Sequence, residues 1–316
     1  KYLLWWHKKI DLVYLWVDGE DENWLKKKAY YQSEKCDEEA IQKCRFVSND
    51  ELKYSLRSVE KNAPWINKIY IVTDNQVPSW LNLENEKVRI IDHSEIIPQE
   101  KLPLFNSNAI ELRIPFIPDL SEYFLYANDD MFFWSRVEED FFFEGDKPIC
   151  RLFSEMKLFD ESERGYDKTI HLAYREVFNK FGKPKKTGSP HHCIDAYKKS
   201  VFIDCLNAFP ELVSKTLNNR FRTHEDWQRM IVIYYALATE QGVEKWVKPT
   251  WLDKNVFRKV LDTKCFNLSK RTVKRIEQIR AKLVCLNDCE KTTDKDRLRI
   301  RTVMEHHFPE KSSFEK

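Results

Sequence analysis

Two adjacent carboxylates follow an apolar run near the middle of the chain. Phe124 to Ala127 predicts a buried strand, and Asn128, Asp129 and Asp130 come directly after it. Neighbouring side chains on an extended backbone point to opposite faces, so both carboxylates can meet one ion only where the strand ends. An oxygen-rich strand end suits a hard divalent cation such as Mg²⁺, which commonly also binds substrate phosphates. The alternative interpretation is a helix N-cap, a position that favours Asn and Asp.

Three other apolar runs also end at a carboxylate. The runs 11–18, 68–74 and 88–92 finish at Asp18, Asp74 and Asp92, and helical or loop segments separate them, including an amphipathic helix over 51–62. This alternation predicts an α/β fold with a mainly parallel, open sheet. Ligands of such sheets bind outside the carboxyl ends of the strands, near the switch in strand order. The Asp-terminated strands therefore predict one ligand site at that edge.

Composition narrows the class of protein. The chain has 316 residues, of which 42% are hydrophobic, so a substantial core is available. A net charge of +2 argues against a dedicated nucleic-acid binder, and six glycines form no glycine-rich phosphate loop. The eight cysteines lack paired metal-ligand spacing, which indicates reduced thiols in a cytoplasmic protein. No apolar run reaches the roughly 18 residues that span a membrane.

Several stretches together resemble the Stealth family of sugar-1-phosphate transferases, the bacterial capsule-polymer enzymes and the lysosomal-enzyme GlcNAc-1-phosphotransferase. The matching blocks are 11–21, with Trp-Val-Asp-Gly at 16–19; 51–111, ending in Asn-Ser-Asn-Ala-Ile-Glu; 120–132, with Asn-Asp-Asp-Met-Phe; and 285–288 with 308–314. They occur in family order and cover most of the chain. The resemblance implies a GT-A-like domain that transfers a sugar 1-phosphate from a UDP-sugar to an acceptor hydroxyl and releases UMP.

The resemblance also implies roles for individual residues. Asp129, Asp130 and Asp288 match metal ligands, for Mg²⁺ or Mn²⁺. Asp130, Glu111 and Asp18 match catalytic carboxylates, although some relatives carry Asn at the position of Asp18. The contacts to the nucleotide-sugar are assigned to Trp16, Asp18, Gly19, Arg57, Asp74 and Asn75. For Arg57, an exposed charge on the helix remains a nearly equal alternative.

Two further catalytic residues follow from the resemblance. His192 lies eight residues before Ser200-Val201, the family spacing of a histidine that can act as general base or acid. His191 is the alternative register, because Ile194 and Ala196 replace the family's prolines. Arg222 matches the arginine of an Arg-His-x-Glu-Asp stretch and could clamp the diphosphate.

The expected organisation has three parts. Residues 1–150 form the nucleotide-sugar-binding α/β half, 151–260 a mainly helical half with His192 and Arg222, and 261–316 a segment that returns to the active site. Helices are expected over 152–181 and 195–242, with a buried one at 230–238. The pattern over 269–286 predicts an amphipathic helix with a basic exterior, either a solvated face or a contact for an anionic polymer or membrane.

The preferred function is sugar-1-phosphate transfer in capsule polysaccharide synthesis. Its partners are a UDP-sugar donor and a glycan acceptor, which could be a phosphodiester-linked polyanion, and no nucleic acid. The expected location is cytoplasmic, with peripheral contact to the membrane or capsule-export machinery as a conjecture. The alternatives are a metal-dependent glycosyltransferase that releases UDP and a nucleotide-sugar-binding protein without turnover.

Overall fold

The structure is a computed structural model that describes residues 8–32, 42, 44, 46–154, 166–182, 188–247, 260–268 and 273–316. The strands are β1 (Ile10–Leu15), β2 (Ile69–Thr73), β3 (Val88–Asp92), β4 (Tyr123–Asn128), β5 (Met131–Phe133), β6 (Phe143–Glu144), β7 (Lys147–Ser154), β8 (Gly188–Pro190), β9 (Asp195–Lys198), β10 (Val243–Val247), β11 (Leu261–Asn267) and β12 (Ala281–Asn287). The helices are α1 (Glu22–Tyr31), α2 (Glu51–Asn62), α3 (His93–Ile96), α4 (Ser107–Glu111), α5 (Tyr166–Phe181), α6 (Lys199–Ala208), α7 (Pro210–Leu217), α8 (Met230–Ala238), α9 (Val273–Ile276) and α10 (Asp294–His307).

The central sheet has the strand order β3-β2-β1-β4-β9. Strands β1 to β4 run parallel, and β9 pairs with β4 in the antiparallel direction. Every residue of β2 is buried, as expected for a parallel strand that is covered on both faces. The α/β fold with a mainly parallel sheet is therefore confirmed, and all four predicted strands are present, although β1 ends at Leu15 and not at Asp18.

Helices cover both faces of this sheet. On one face, α2 buries Leu52, Leu56 and Val59 in a cluster with β1 and β2. On the other face, α5, α6 and α8 pack together, and α8 buries residues almost all round. The predicted amphipathic helix α2 and the predicted buried helix α8 are both confirmed.

The second half of the chain contains more β-structure than expected. Residues 152–154, at the end of β7, and 195–198, strand β9, are extended where helices were predicted, while α5 covers 166–181 of the first of those segments. Residues 155–165 lie outside the described part of the chain. Ala196 and Tyr197 of β9 are buried because this strand occupies the edge position beside β4, a long-range pairing that overrides local preference.

The predicted basic helix over 269–286 is wrong. Residues 273–276 form one short helical turn, and Ala281–Asn287 is strand β12, between β11 and β5. Residues 269–272 lie outside the described residues. Leu283, Val284, Cys285 and Leu286 are all buried, so this strand is apolar on both faces and shows no period-2 signal. The suggested contact between a basic helix and an anionic polymer or membrane therefore lacks the helix on which it depended.

Two strand pairings join distant parts of the chain. Strand β9 extends the sheet of the first half, and β12 pairs with β5, which begins directly after Asp130. The second pairing brings Asn287, the last residue of β12, and Asp288, which follows it, towards the end of β4. The three-part domain division stays a prediction. No helix in the described part of the chain is long and apolar enough to cross a membrane.

Candidate active site

A cavity of about 600 Å³ opens at the carboxyl ends of β1 to β4. The strand order reverses between β1 and β4, so this is the switch point where an open α/β sheet binds ligands. Of the residues predicted for the site, those that line the cavity are Trp16, Asp74, Asp129, Asp130, Arg222 and Asp288. Asp18, Gly19, Arg57, Asn75, Glu111 and His192 are not among its lining residues.

Three carboxylates crowd together on one wall of the cavity. Asp129 and Asp130 follow β4, and Glu51 is the first residue of α2. Burial and the negative charge of Glu51 raise the pKa of Asp130 to about 7. Burial and the charges of Glu51 and Asp130 raise the pKa of Asp129 well above its usual range. The carboxylates thus destabilise one another in their charged forms.

This wall offers carboxylate oxygens, the kind of ligand that a hard cation prefers. Among the residues that the structure describes, Oδ1 of Asp130 is buried without a hydrogen-bond partner, and Oδ2 accepts a weak, 3.6 Å hydrogen bond from Sγ of Cys285. A divalent cation would satisfy that oxygen and remove the repulsion. Among the described residues, no group of three potential ligands already converges on one point, so phosphate or water oxygens would complete the coordination.

Glu51 was not predicted as a site residue. Burial raises its pKa, although Asn49 donates two hydrogen bonds to its carboxylate, from the backbone N–H at 2.5 Å and from Nδ2 at 2.7 Å. An acidic residue in the first turn of a helix is common on protein surfaces. The sequence therefore offered no signal that this one is buried beside Asp129.

Asp288 lines the cavity but already has a cationic partner. Nε and Nη2 of Arg297 lie 2.8 Å and 3.2 Å from its two carboxylate oxygens. Asp288 would have to share its charge with Arg297 if it also bound a metal. Asn287, beside it, donates a hydrogen bond to Oδ1 of Asn267 across the β11–β12 pair.

Arg222 reaches the cavity wall from a loop that is fixed by buried amides. Nδ2 of Asn106 donates to Oδ2 of Asp226 at 2.8 Å and to the carbonyl of Asn219 at 2.9 Å, which ties this loop to α4. Arg222 in turn donates to Oγ of Ser107, the first residue of α4. The guanidinium is thereby placed in the same cavity as Asp129 and Asp130.

Glu111 lies behind the cavity in a buried chain of charges. Its carboxylate accepts from the backbone N–H of Arg229 at 3.2 Å and from Oη of Tyr126 at 3.1 Å. Nη1 of Arg229 is 3.4 Å from Glu111, and its Nη2 is 3.3 Å from Asp195. Asp195 in turn pairs with Nε2 of His191 at 2.8 Å. Sequence reasoning missed Arg229 and Asp195, because no local pattern distinguishes them from surface charges.

His192 lies next to this series of charged side chains, and its pKa is lower than that of an ordinary histidine. Burial lowers the pKa of His192 to about 4, and the positive charge of Arg229 acts in the same direction. A general base works best with a pKa near the working pH. In the structure His192 is uncharged at neutral pH, while the alternative residue His191 is held by Asp195.

The residues predicted for the nucleotide-sugar form two turns at the ends of β1 and β2. Asp18 exchanges backbone hydrogen bonds with the side chain of Gln76, and its Oδ1 accepts from the N–H of Glu20 at 2.9 Å. A Cβ on Gly19 would lie 1.9 Å from the carbonyl oxygen of Phe46, so only glycine fits there. This close approach sets the path of the chain just after the cavity residue Trp16.

The second turn carries Asp74 and Asn75. Nζ of Lys27 lies 2.8 Å from both carboxylate oxygens of Asp74. Asn75 has a positive φ of 54°, and its N–H donates to Oδ2 of Asp92 at 2.6 Å. The turn therefore holds the ends of β2 and β3 together and leaves Asp74 on the cavity wall.

Arg57 faces away from the cavity. Its Nε and Nη2 pair with the two carboxylate oxygens of Glu315 at 2.8 Å and 2.7 Å, and Nη1 donates to the carbonyl of Phe308 at 3.0 Å. These contacts hold the C-terminal segment against α2. The arrangement gives Arg57 a structural task and offers no support for its predicted contact with the nucleotide.

An acidic cavity at the switch point of a parallel sheet, with a guanidinium on its wall, is the position at which proteins with an open α/β sheet bind their ligands. Family models described as Stealth protein CR1, conserved region 1, and Stealth protein CR2, conserved region 2, match residues 8–36 and 45–150. The chain is 35% identical to the exopolysaccharide phosphotransferase cps2G of Lactiplantibacillus plantarum, over 97% of this chain and 96% of the relative. The chain therefore belongs to the Stealth family and is an enzyme of the phosphotransferase class.

Two further relatives and one solved structure are similar. The capsular polysaccharide phosphotransferase SacB of Neisseria meningitidis serogroup A is 32% identical over 97% of this chain and 57% of its own length. The capsular polysaccharide phosphotransferase fcs1 of Haemophilus influenzae is 38% identical over 69% of this chain and 62% of its own length. The chain thus spans about three-fifths of these two proteins. A crystal structure of an active-site mutant of LgtC superimposes with a TM-score of 0.42 at 12% identity, over 92% of this chain and 94% of that one.

Proposed function

We propose that the protein transfers a sugar 1-phosphate from a UDP-sugar to a hydroxyl of a growing capsular or exopolysaccharide glycan, and releases UMP. Family membership and the names of the relatives support the reaction class. The observation that carries the proposal is the group of mutually repelling carboxylates at the switch point, in the same cavity as Arg222.

The reaction forms one P–O bond and breaks another. The acceptor oxygen attacks the β-phosphorus, the bond from that phosphorus to the oxygen of the leaving UMP breaks, and the hydroxyl proton is released. The diphosphate carries negative charge throughout the reaction. The site must therefore bind this charged group and align the acceptor hydroxyl with the β-phosphorus. Arg222 has the planar fork of donors that binds two phosphate oxygens at once.

A Mg²⁺ or Mn²⁺ ion held by Asp129 and Asp130 would neutralise charge on the diphosphate. Oδ1 of Asp130, which has no hydrogen-bond partner in the described part of the protein, supports this assignment, and Glu51 adds negative charge beside it. Asp288 is a weaker candidate ligand because Arg297 already binds both its oxygens.

His192 is our candidate for accepting the acceptor's proton. Its ring is uncharged at neutral pH and so has a nitrogen that can accept a proton. The positive charge of Arg229 opposes protonation in the free protein. A bound dianionic diphosphate would act in the opposite direction and raise the pKa of His192 towards the working pH. Glu111 supports the site from behind through Arg229 and Tyr126.

Product analysis tests the proposal. The protein is incubated with Mg²⁺, a panel of UDP-sugars and a glycan acceptor, and the released nucleotide is identified by chromatography. UMP with one of the sugars is the expected result. UDP would mean ordinary glycosyl transfer, and the roles given to His192 and Arg222 would then be withdrawn.

A further inference from the structure

We propose that the imidazole of His93 hydrogen-bonds the nucleoside half of the donor. This inference rests on the proposed function, because it takes the donor to be a nucleotide-sugar. His93 directly follows β3 as the first residue of α3, and this residue lines the cavity although it is only 7% exposed. None of the catalytic roles above uses it.

The ring of His93 has hydrogen-bonding capacity that the described part of the protein does not use. Its Nδ1 is buried and has no hydrogen-bond partner there. Both neighbouring carboxylates are engaged elsewhere: Asp74 by Lys27, and Asp92 by the N–H groups of Asn75 and Ser94. Leaving a buried polar atom unpaired costs stability, so a ligand that supplies the partner gains affinity.

The charge state of His93 favours a nucleoside over a phosphate. Burial lowers its pKa to about 4, although the negative charges of Asp74 and Asp92 act to raise it. The ring is therefore neutral at neutral pH, with one nitrogen that donates and one that accepts. A neutral ring beside two carboxylates does not attract a diphosphate, whereas it can pair with the polar edge of a base or with ribose hydroxyls.

The position of His93 at the end of β3 also supports a contact with the nucleoside. Three strand spacings, about 14 Å, separate the end of β3 from the end of β4, where Asp129 and Asp130 are placed to face the phosphates. A nucleotide whose phosphates lie at β4 extends its nucleoside towards β3. Val72 and Leu104 also line the cavity and offer apolar contact to a flat base.

Calorimetric titration of UMP and of pyrophosphate, each with Mg²⁺, tests the inference on wild-type protein, His93→Ala and His93→Gln. UMP affinity should fall about five- to tenfold in His93→Ala, with a smaller loss in His93→Gln, while pyrophosphate affinity stays unchanged. His171→Gln is the matched control, since His171 is a buried histidine on α5 that does not line the cavity. It should leave both affinities unchanged.

Unchanged UMP affinity in His93→Ala, or equal losses for UMP and pyrophosphate, would overturn the assignment and leave the proposed function intact. Wild-type protein that binds pyrophosphate but neither UMP nor any UDP-sugar would contradict the proposed function itself. Labelling of wild-type protein with diethylpyrocarbonate, followed by peptide mass spectrometry, needs no variant. UMP should protect His93 and pyrophosphate should not; any other pattern of protection counts against the role.

Discussion

Glu111 and Arg229 form a buried ion pair, with Nη1 of Arg229 3.4 Å from Oε1 of Glu111. The side chain of Arg229 is 2% exposed and that of Glu111 is 5% exposed. Arg229 also contacts Asp195, and its guanidinium lies 4.3 Å from the centre of the Tyr126 ring. One cation thus joins α4, β9, β4 and the start of α8 directly behind the cavity. We interpret Glu111 as a residue that positions this wall, because the structure ties its carboxylate to Arg229 and Tyr126.

Replacing Arg229 with Met should destabilise the protein by about 3–5 kcal/mol, because Glu111 and Asp195 would remain as unpaired buried charges. Adding Glu111→Gln should recover part of that loss, since the second change removes one of those charges. Urea unfolding of wild-type, both single variants and the double variant measures the coupling. Strictly additive losses would mean that the two side chains do not stabilise each other.

Asp130→Asn should reduce kcat at least about 100-fold, because it weakens the proposed metal site. It should also raise the melting temperature in EDTA, since one of three repelling carboxylates becomes neutral. Steady-state kinetics with Mg²⁺ measure the first effect, and thermal unfolding with and without Mg²⁺ measures the second. Asp146→Asn, at a carboxylate that is 67% exposed, is the control and should change neither quantity. A lower melting temperature in EDTA would contradict the repulsion.

Arg222→Lys should lower kcat/KM about 100-fold, because lysine keeps the charge but loses the paired donors for two phosphate oxygens. Arg220→Lys is the matched control from the same loop. Arg220 stacks on Tyr31 at 4.3 Å and donates to the carbonyl of Pro103, outside the cavity lining. Steady-state kinetics with a saturating acceptor compare the two. Equal losses in both variants would indicate a general loop effect.

The Arg57–Glu315 pair should give a pH-dependent stability with no effect on the donor KM. Burial acts to raise the pKa of Glu315, but the hydrogen bonds from Arg57 and Ser312 outweigh it and hold the pKa below its usual 4.5. A depressed carboxyl pKa stabilises the fold above the unfolded value, and the stabilisation is lost as pH falls through the folded value. Urea unfolding at pH 6 should therefore show a loss of about 1–3 kcal/mol in Glu315→Gln, which shrinks towards pH 3.

Two comparisons separate this structural role from a catalytic one. Glu310→Gln changes an exposed carboxylate in the same segment and should leave stability unchanged at both pH values. Arg57→Gln should destabilise the fold and leave the KM for the donor unchanged. A large rise of that KM in folded protein would restore the contact with the nucleotide that the sequence suggested.

Local pattern was sufficient for the parts of the fold that repeat within a few residues. The apolar runs of β2 and β4 and the amphipathic period of α2 predicted those elements, and parallel strands with Asp at their ends predicted that Asp74 and Asp129 would share one edge of the sheet. Family motifs placed Arg222 on the same cavity. These predictions succeeded because each depends on neighbours in sequence or on a topological rule that such strands must obey.

Tertiary structure decided what depends on partners far away in the chain. The segment of β12 was predicted as a helix. Because this strand is buried on both faces, it lacks the alternation of apolar and polar residues that distinguishes a strand from a helix. Glu51, Arg229 and His93 carry no local mark that distinguishes them from surface residues. Long-range packing buries all three, brings Arg229 against Glu111 and Asp195, and turns Arg57 towards Glu315. Burial and pairing of charges arise from contacts between distant segments, so only the folded chain could assign these residues their roles.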